Sequence, residues 1–484
     1  MGVSIKEKTI SGVGWSAADA ILGQGVTFLV GLILARILSP SEYGLIGIVT
    51  IFTTVLSGIV DSGFSNALIR KNDTTDEDYS TMFITNFVMS VLLYILLFIS
   101  APYIASFFSR TELIDITRVM GLILIVQSFS LVQNTILTKR IDFKTKTKIS
   151  FISALVSGVI GISMAFVGLG VWALVGQLIS RQLLYSILLW SFNRWRPRTG
   201  FSIESFRYMW GFGWKMMLSG LLNNVWNQLY QIVVGKYYSP STLGQYSRSK
   251  EYANLFSQNF TSIVQRVTYP ALAEVQDEKE RMTAAYRKVI KITMFVTTIC
   301  MFSLGAVAEP LIFCLIGPQW RQAASFLPLI CMSMSLYPLH AINLNMLQLQ
   351  GRSDVFLILE IIKKIIAVVP IFLGIFVSIY WMLISGLVTD FIAFFLNSYY
   401  SGRELGYSSW RQLADVVPSF SIAAIIAISV FFLKFLPFSS FVVLPLQVIV
   451  GIAVFLFVCR VTKIEEYMEL KGIALSYFNK ILKK

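Results

Sequence analysis

Gly12-Val13-Gly14-Trp15 opens an apolar segment that ends at Ala35-Arg36-Ile37-Leu38-Ser39-Pro40-Ser41-Glu42-Tyr43-Gly44. Gly211-Phe212-Gly213-Trp214 opens another, ending at Gly235-Lys236-Tyr237-Tyr238-Ser239-Pro240-Ser241-Thr242-Leu243-Gly244. The two GxGW…SPSxxG stretches lie about 200 residues apart and differ by one residue in internal spacing. Two such matches in register read as the opening hairpins of two homologous halves, a long-period internal repeat. The Ser-Pro dipeptides mark turns between the paired segments.

Composition puts this repeat in a bilayer. Hydrophobic residues make up 56% of the 484 and charged residues 14%, against about 25% charged in soluble domains. Long apolar runs separated by short polar connections fit a polytopic membrane protein. Cys300, Cys314, Cys331 and Cys459 all fall inside apolar runs and read as small hydrophobes. No CxxC, Cys/His cluster, P-loop, GxSxG or HExxH occurs, so no metal site, cofactor or catalytic centre is expected, and no loop is long enough for a catalytic domain. The first segment follows Lys6 and Lys8, carries Asp19 and lacks a small-residue cleavage site, so it reads as a retained helix.

Fourteen segments are long enough for the roughly 20 helical residues that cross hydrocarbon, at approximately 12–38, 42–69, 79–107, 114–138, 149–168, 170–193, 208–236, 242–270, 286–309, 322–349, 354–377, 380–401, 413–435 and 439–459. They lack the alternation of a barrel, so an all-α fold is expected. With the N-terminus inside, the inner loops hold Arg70 and Lys71, Lys139 to Lys148, Arg194 to Arg207, Lys279 to Lys291, Arg352, Arg403, Arg411 and the tail from Arg460. The outer side holds only Arg36, Arg110, Arg118, Lys236, Arg321 and Lys434. This positive-inside alternation holds through every loop and places both termini in the cytoplasm. The net charge of +14 then serves orientation and anionic lipid, and nucleic acid is not an expected partner. Six helices precede the second copy, so the repeat is parallel. The expected division is 1–200 (helices 1–6), 201–402 (helices 7–12) and 403–484 (helices 13 and 14 with a basic tail). That tail mixes Ile464, Tyr467, Met468 and Leu475 with lysines, as an amphipathic surface helix or a solvated end would.

Polar groups inside the spans need a partner, water or a function. In the seventh segment Lys215, Ser219, Asn223, Asn227 and Gln231 recur every four residues, with Asn224 and Gln228 beside them. Such a row drifts only about 40° per step and forms a slowly winding stripe. In the eighth, Glu251, Asn254, Gln258, Ser262 and Gln265 follow three-four spacing, and Arg248, Lys250 and Arg266 add cations. Arg248 and Glu251 are placed to pair along the helix. This segment could also be a surface helix, but removing it as a span would put Lys279 to Lys291 on the wrong side. The first half offers less: Asp19 with Gln24, Asp61 with Asn66, and Gln177 with Arg181. Lys215, Arg248 and Lys250 admit pairing within the protein or binding of an anionic group; their concentration on two consecutive polar helices favours binding. Glu360 and Lys364 are spaced to pair, Asp390 lacks an obvious partner, and His340, the only histidine, reads as packed at a helix break or as a proton relay.

Leu34 to Gly44, then Asp61 to Asp73 (DSGFSNALIRKND), then Glu77 to Phe83 (EDYSTMF) resemble the opening of WzxC-type lipopolysaccharide biosynthesis proteins, flippases of the multidrug/oligosaccharidyl-lipid/polysaccharide (MOP) exporter superfamily. The resemblance implies two six-helix bundles in a MATE-like V around a cavity walled mainly by helices 1, 2, 7 and 8, with helices 13 and 14 at the side. It implies alternating access and an undecaprenyl-pyrophosphate-linked oligosaccharide carried across the bacterial cytoplasmic membrane to the periplasmic leaflet. The expected substrate residues are Asp19, Lys215, Asn223, Asn227, Gln231, Arg248, Lys250, Glu251, Asn254 and Gln258. Beyond substrate and bilayer, glycan polymerase or ligase machinery is a possible partner. The rival readings are a multidrug antiporter of the same superfamily, which would favour acidic cavity groups, and a membrane-embedded glycan polymerase, ligase or scaffold.

Overall fold

The protein, described here by a computed structural model over residues 22–275 and 278–482, is helical, with no strand among the described residues. Two compact units divide at Gly244/Gln245.

The first unit holds α1 (Leu22–Ile37), α2 (Pro40–Asp61), α3 (Phe64–Arg70), α4 (Asp76–Phe108), α5 (Leu113–Lys139), α6 (Phe143–Phe166), α7 (Val171–Phe192) and α8 (Ile203–Tyr237), plus the first turn of α9 (Pro240–Glu274). The second holds the rest of α9, then α10 (Lys279–Ala306), α11 (Ala308–Leu315), α12 (Arg321–Ser335), α13 (Tyr337–Leu349), α14 (Ser353–Ile366) and α15 (Val368–Phe376). It closes with α16 (Ile379–Leu405), α17 (Ser409–Phe431), α18 (Ser440–Thr462) and α19 (Glu465–Leu482).

Every expected span is helical where described, but apolarity alone would find fewer. Ten helical stretches are long and apolar enough to cross a membrane. α1 is shorter within the described residues, and α8 and α9, at 35 residues each, fall outside the ten because of their polar side chains. Segment 354–377 is two helices, broken at Ala367. Segment 42–69 also breaks, at Ser62-Gly63, both left-handed with φ of 51° and 70°; glycine takes that conformation without steric cost. The compact division also differs from the repeat boundary at 200/201. α8 packs along α2, α3 and α4, so by contact it belongs with the first unit.

The SPSxxG motifs show why both copies keep the same residues. Ser39 caps α2 in a reciprocal box with Glu42, and Pro40 occupies the first turn, where its missing N–H costs nothing. Ser239 caps α9 by accepting from the Thr242 N–H at 3.1 Å. The two first turns cross at their glycines: a Cβ on Gly44 would overlap the Pro240 carbonyl, and a Cβ on Gly244 would overlap the Pro40 carbonyl. Gly213 of the second GxGW lies against Ser62, closing α8 onto the α2–α3 break. Gly12 to Trp15 of the first copy lie outside the described residues.

In the second unit, Tyr286, Ile290 and Met294 of α10 pack with Leu339, Ile342 and Met346 of α13, and with Phe394 of α16. The tail forms a helix, but it docks on protein. Ile464, Tyr467 and Leu470 join a core with Phe295 and Cys459, while Lys291 pairs with Glu465 at 3.0 Å and Glu466 at 2.9 Å, and Lys288 pairs with Glu469.

Two outcomes are expected. Gly44→Ala and Gly244→Ala each destabilise by about 1–3 kcal/mol or more, because the opposing atoms are backbone and cannot yield. The double variant loses less than the sum, since one crossing is opened twice; thermal unfolding of the purified protein reads this. The Lys291 ammonium holds the Glu465 carboxyl below its usual range. A depressed carboxyl stabilises the fold above its ordinary titration range, and that contribution is lost as pH falls through the folded value. Acidification below the usual glutamate range therefore raises amide hydrogen exchange at the start of α19, and high salt at neutral pH does the same.

Candidate functional site

The two polar rows of the sequence occupy two long helices, one in each unit. On α8 the row divides. Asn224 turns inward, with its Nδ2 2.9 Å from where a Cβ of Gly58 in α2 would stand. The Gln228 Oε1 is likewise buried, with no hydrogen-bond partner among the described residues. Lys215, Ser219, Asn223 and Asn227 lie on the exposed side of the helix and Gln231 is half-buried. The sequence grouped these residues as one stripe; the fold uses the inner pair for close helix packing and leaves the outer row open.

On α9 the division is sharper. Gln245, Ser249 and Ser257 bind the α12 strip. The Gln245 side chain donates to the Gln319 carbonyl and accepts from the Ala323 N–H, both at 2.8 Å. Ser249 donates to the Ala323 carbonyl at 2.9 Å, and Ser257 to the Met334 carbonyl at 2.6 Å. Ser249 and Ser257, eight residues apart, lie on one side of the helix, and such small hydroxyl residues let two membrane helices approach closely. That spacing is readable in the sequence, where the longer polar side chains drew attention instead.

At about 100° per residue, Glu251, Asn254 and Gln258 point away from this packed face. Glu251 is exposed; Asn254 and Gln258 are half-buried. The Asn254 Oδ1 is buried without a hydrogen-bond partner among the described residues. Arg248 is 7% exposed and donates to Glu251 at 2.6 Å, the pairing its three-residue spacing predicts. Arg248 is thus neutralised locally, whereas Lys250, half-buried, has no ion pair among the described residues. Asp19 lies outside the described residues. Asp61 accepts from Ser65, whose hydroxyl accepts from Thr135 at 3.0 Å, so it ties α2 to α5 and is not part of either row.

A family model described as "Polysaccharide biosynthesis protein" matches residues 33–325. The chain belongs to that family. Among curated relatives, the succinoglycan biosynthesis transport protein ExoT of Rhizobium meliloti (strain 1021) is 28% identical over 337 residues, 69% of this chain and 68% of that protein. The teichuronic acid biosynthesis protein TuaB of Bacillus subtilis (strain 168) is 25% identical, covering 72% and 73%. The lipopolysaccharide biosynthesis protein WzxC of Escherichia coli (strain K12) is 22% identical, covering 77% and 76%, in line with the resemblance of the opening motifs. Among solved structures, the lipid II flippase MurJ in an inward closed conformation superposes with a TM-score of 0.71, over 95% of this chain and 99% of that one, at 13% identity. An inward-facing MATE family transporter of the MOP superfamily gives 0.61 over 80% and 98%, at 16% identity. This member of the polysaccharide biosynthesis family is therefore a multi-pass membrane protein with the MOP fold.

Arg248 and Lys250 of α9 differ in what their removal does to stability. Arg248→Ala leaves Glu251 unpaired and lowers stability by about 1 kcal/mol, since the half-exposed Glu251 is screened. Lys250→Met removes a charge that no ion pair compensates among the described residues, and leaves the unfolding temperature equal or raised. Thermal unfolding in one detergent compares the two.

Proposed function

We propose that the protein is a flippase for a lipid-linked oligosaccharide, carrying an undecaprenyl-pyrophosphate glycan from the cytoplasmic to the periplasmic leaflet of a bacterial inner membrane by alternating access, with both termini in the cytoplasm. The observation that carries the proposal is the open polar row of α8. Lys215, Ser219, Asn223 and Asn227 stand exposed along a 35-residue helix of a membrane bundle, an arrangement that hydrocarbon penalises and a polar cargo requires.

The side chains suit that cargo. Asn223, Asn227, Gln231, Asn254 and Gln258 each donate and accept, which matches sugar hydroxyls. Lys215 and Lys250 supply ammonium groups for pyrophosphate oxygens, and charge-assisted hydrogen bonds of this kind are about twice as strong as neutral ones. Arg248 and Glu251, bonded to each other, shape the surface around Lys250. The polyprenyl chain has no need of such groups and stays in lipid. Relatives named for succinoglycan transport and for teichuronic acid and lipopolysaccharide biosynthesis point to glycan cargo. They favour this reading over a multidrug antiporter, as does the lean of the two rows toward cations and amides.

A leaflet-resolved translocation assay in proteoliposomes with a lipid-linked oligosaccharide tests the proposal. Lys250→Ala and Lys215→Ala are expected to slow transfer about tenfold each, equivalent to about 1.4 kcal/mol of barrier, at unchanged expression and unfolding temperature. Transfer left intact by both, singly and together, would refute the cationic role. Export of cationic drugs without any glycan-lipid transfer would replace the function with the rival one.

A further inference from the structure

The second unit contains a group of titratable side chains that neither polar row uses. Asp390 on α16 accepts from Ser333 on α12. Seven residues further along α16, and seven further on from Ser333, Asn397 meets His340 of α13 at 3.2 Å. Equal offsets mean that α12–α13 and α16 run side by side in the same direction. α14 packs against both α13 and α16, and on it Lys363 pairs with Glu360. Two buried atoms are left without hydrogen-bond partners among the described residues, His340 Nε2 and Asn397 Oδ1, and Asn397 itself is fully buried.

We propose that this cluster is a proton-binding site at Asp390, and that Lys363 exchanges between Glu360 and Asp390 as the proton arrives and leaves. Among the described residues Asp390 has only a hydroxyl as direct partner, and an ionised carboxylate so placed in a membrane bundle is costly. A proton from water bonds to a carboxylate oxygen, giving a neutral acid. The Ser333 hydroxyl, which donates to the carboxylate, can turn to accept from the acid, and Lys363 stays with Glu360. Loss of the proton restores the carboxylate and draws Lys363 toward it. That exchange acts at a break in the chain path. The Lys363 carbonyl accepts the Ala367 N–H at 2.9 Å, which ends α14, and α15 starts at Val368. A pull on Lys363 therefore bears on the joint between two short helices.

Several charged groups on the helices packed against α16 are engaged elsewhere. On α10 and α17, Arg287 and Asp415 pair at 2.5 Å, and Tyr407 donates to Asp415 at 2.7 Å. Lys291 of α10 pairs with Glu465 and Glu466. Tyr286 of α10 donates to Asn343 at 2.8 Å. Lys364 of α14 makes an interaction of its own, α15 carries no titratable side chain, and Arg321 of α12 lies twelve residues before Ser333, about 18 Å along a helix.

Infrared difference spectroscopy of the full-length protein in lipid nanodiscs, stepped in pH, reads the proton directly and needs no transported substrate. The expected result is a carbonyl band of a protonated carboxylic acid that appears on acidification, disappears in Asp390→Asn and persists in Glu360→Gln. In Lys363→Met the band persists to higher pH, because the cation that favours the carboxylate is gone. Should Asp390→Asn fail to fold, Asp390→Glu must move the band. The proposal is overturned if no such band titrates, if it survives Asp390→Asn or is unmoved in Asp390→Glu, or if Lys363→Met leaves its titration where it was.

Discussion

The first unit depends on a crossing in which no side chain fits. The initial turns of α2 and α9 meet with Gly44 against the Pro240 carbonyl and Gly244 against the Pro40 carbonyl. Each motif supplies the glycine that the other motif's proline turn requires. The serine caps and first-turn prolines start both helices at fixed positions, so the glycines arrive in register. Neither half of the repeat could drift alone, because a larger residue in one copy would collide with main chain in the other. The retention of SPSxxG in both copies follows from this contact, and needs no role in binding.

From that crossing outward, polar residues sort by the helix face they occupy. Short hydroxyl side chains lie between helices: Ser249 and Ser257 bind carbonyls of the α12 strip, and Ser65 links Asp61 to Thr135. Longer side chains divide by helix face: Gln245, Asn224 and Gln228 turn inward, while Lys215, Asn223 and Asn227 stand on the exposed side of α8. A serine satisfies a carbonyl across a close helix pair without separating the backbones. A third group, around Asp390 and His340, sits within the second unit and joins α12, α13, α14 and α16, well away from the α9 row in sequence.

Much of this was legible in the residues. Apolar runs, basic loop residues and the doubled motif gave an all-α membrane bundle with two related halves. They also recovered α8 and α9, which mean hydropathy alone would miss because their interiors are polar. The Arg248–Glu251 pair followed from its three-residue spacing. What the one-dimensional pattern could not resolve was which side of a polar helix faces protein. Asn223 and Asn224 are equivalent as letters, yet adjacent residues on a helix differ by about 100° in direction, and only the neighbouring helix makes one of them interior.

By itself, the sequence determined the helices and the symmetry of the two hairpins, because these depend on local backbone preference and on the water-to-lipid transfer of each side chain. Only the tertiary structure decided which side of α8 lies open, that α8 belongs by contact with the first unit, and that the helices carrying Asp390, Lys363 and His340 pack together. Those outcomes depend on contacts between residues far apart in the chain, and no local spacing encodes such distances.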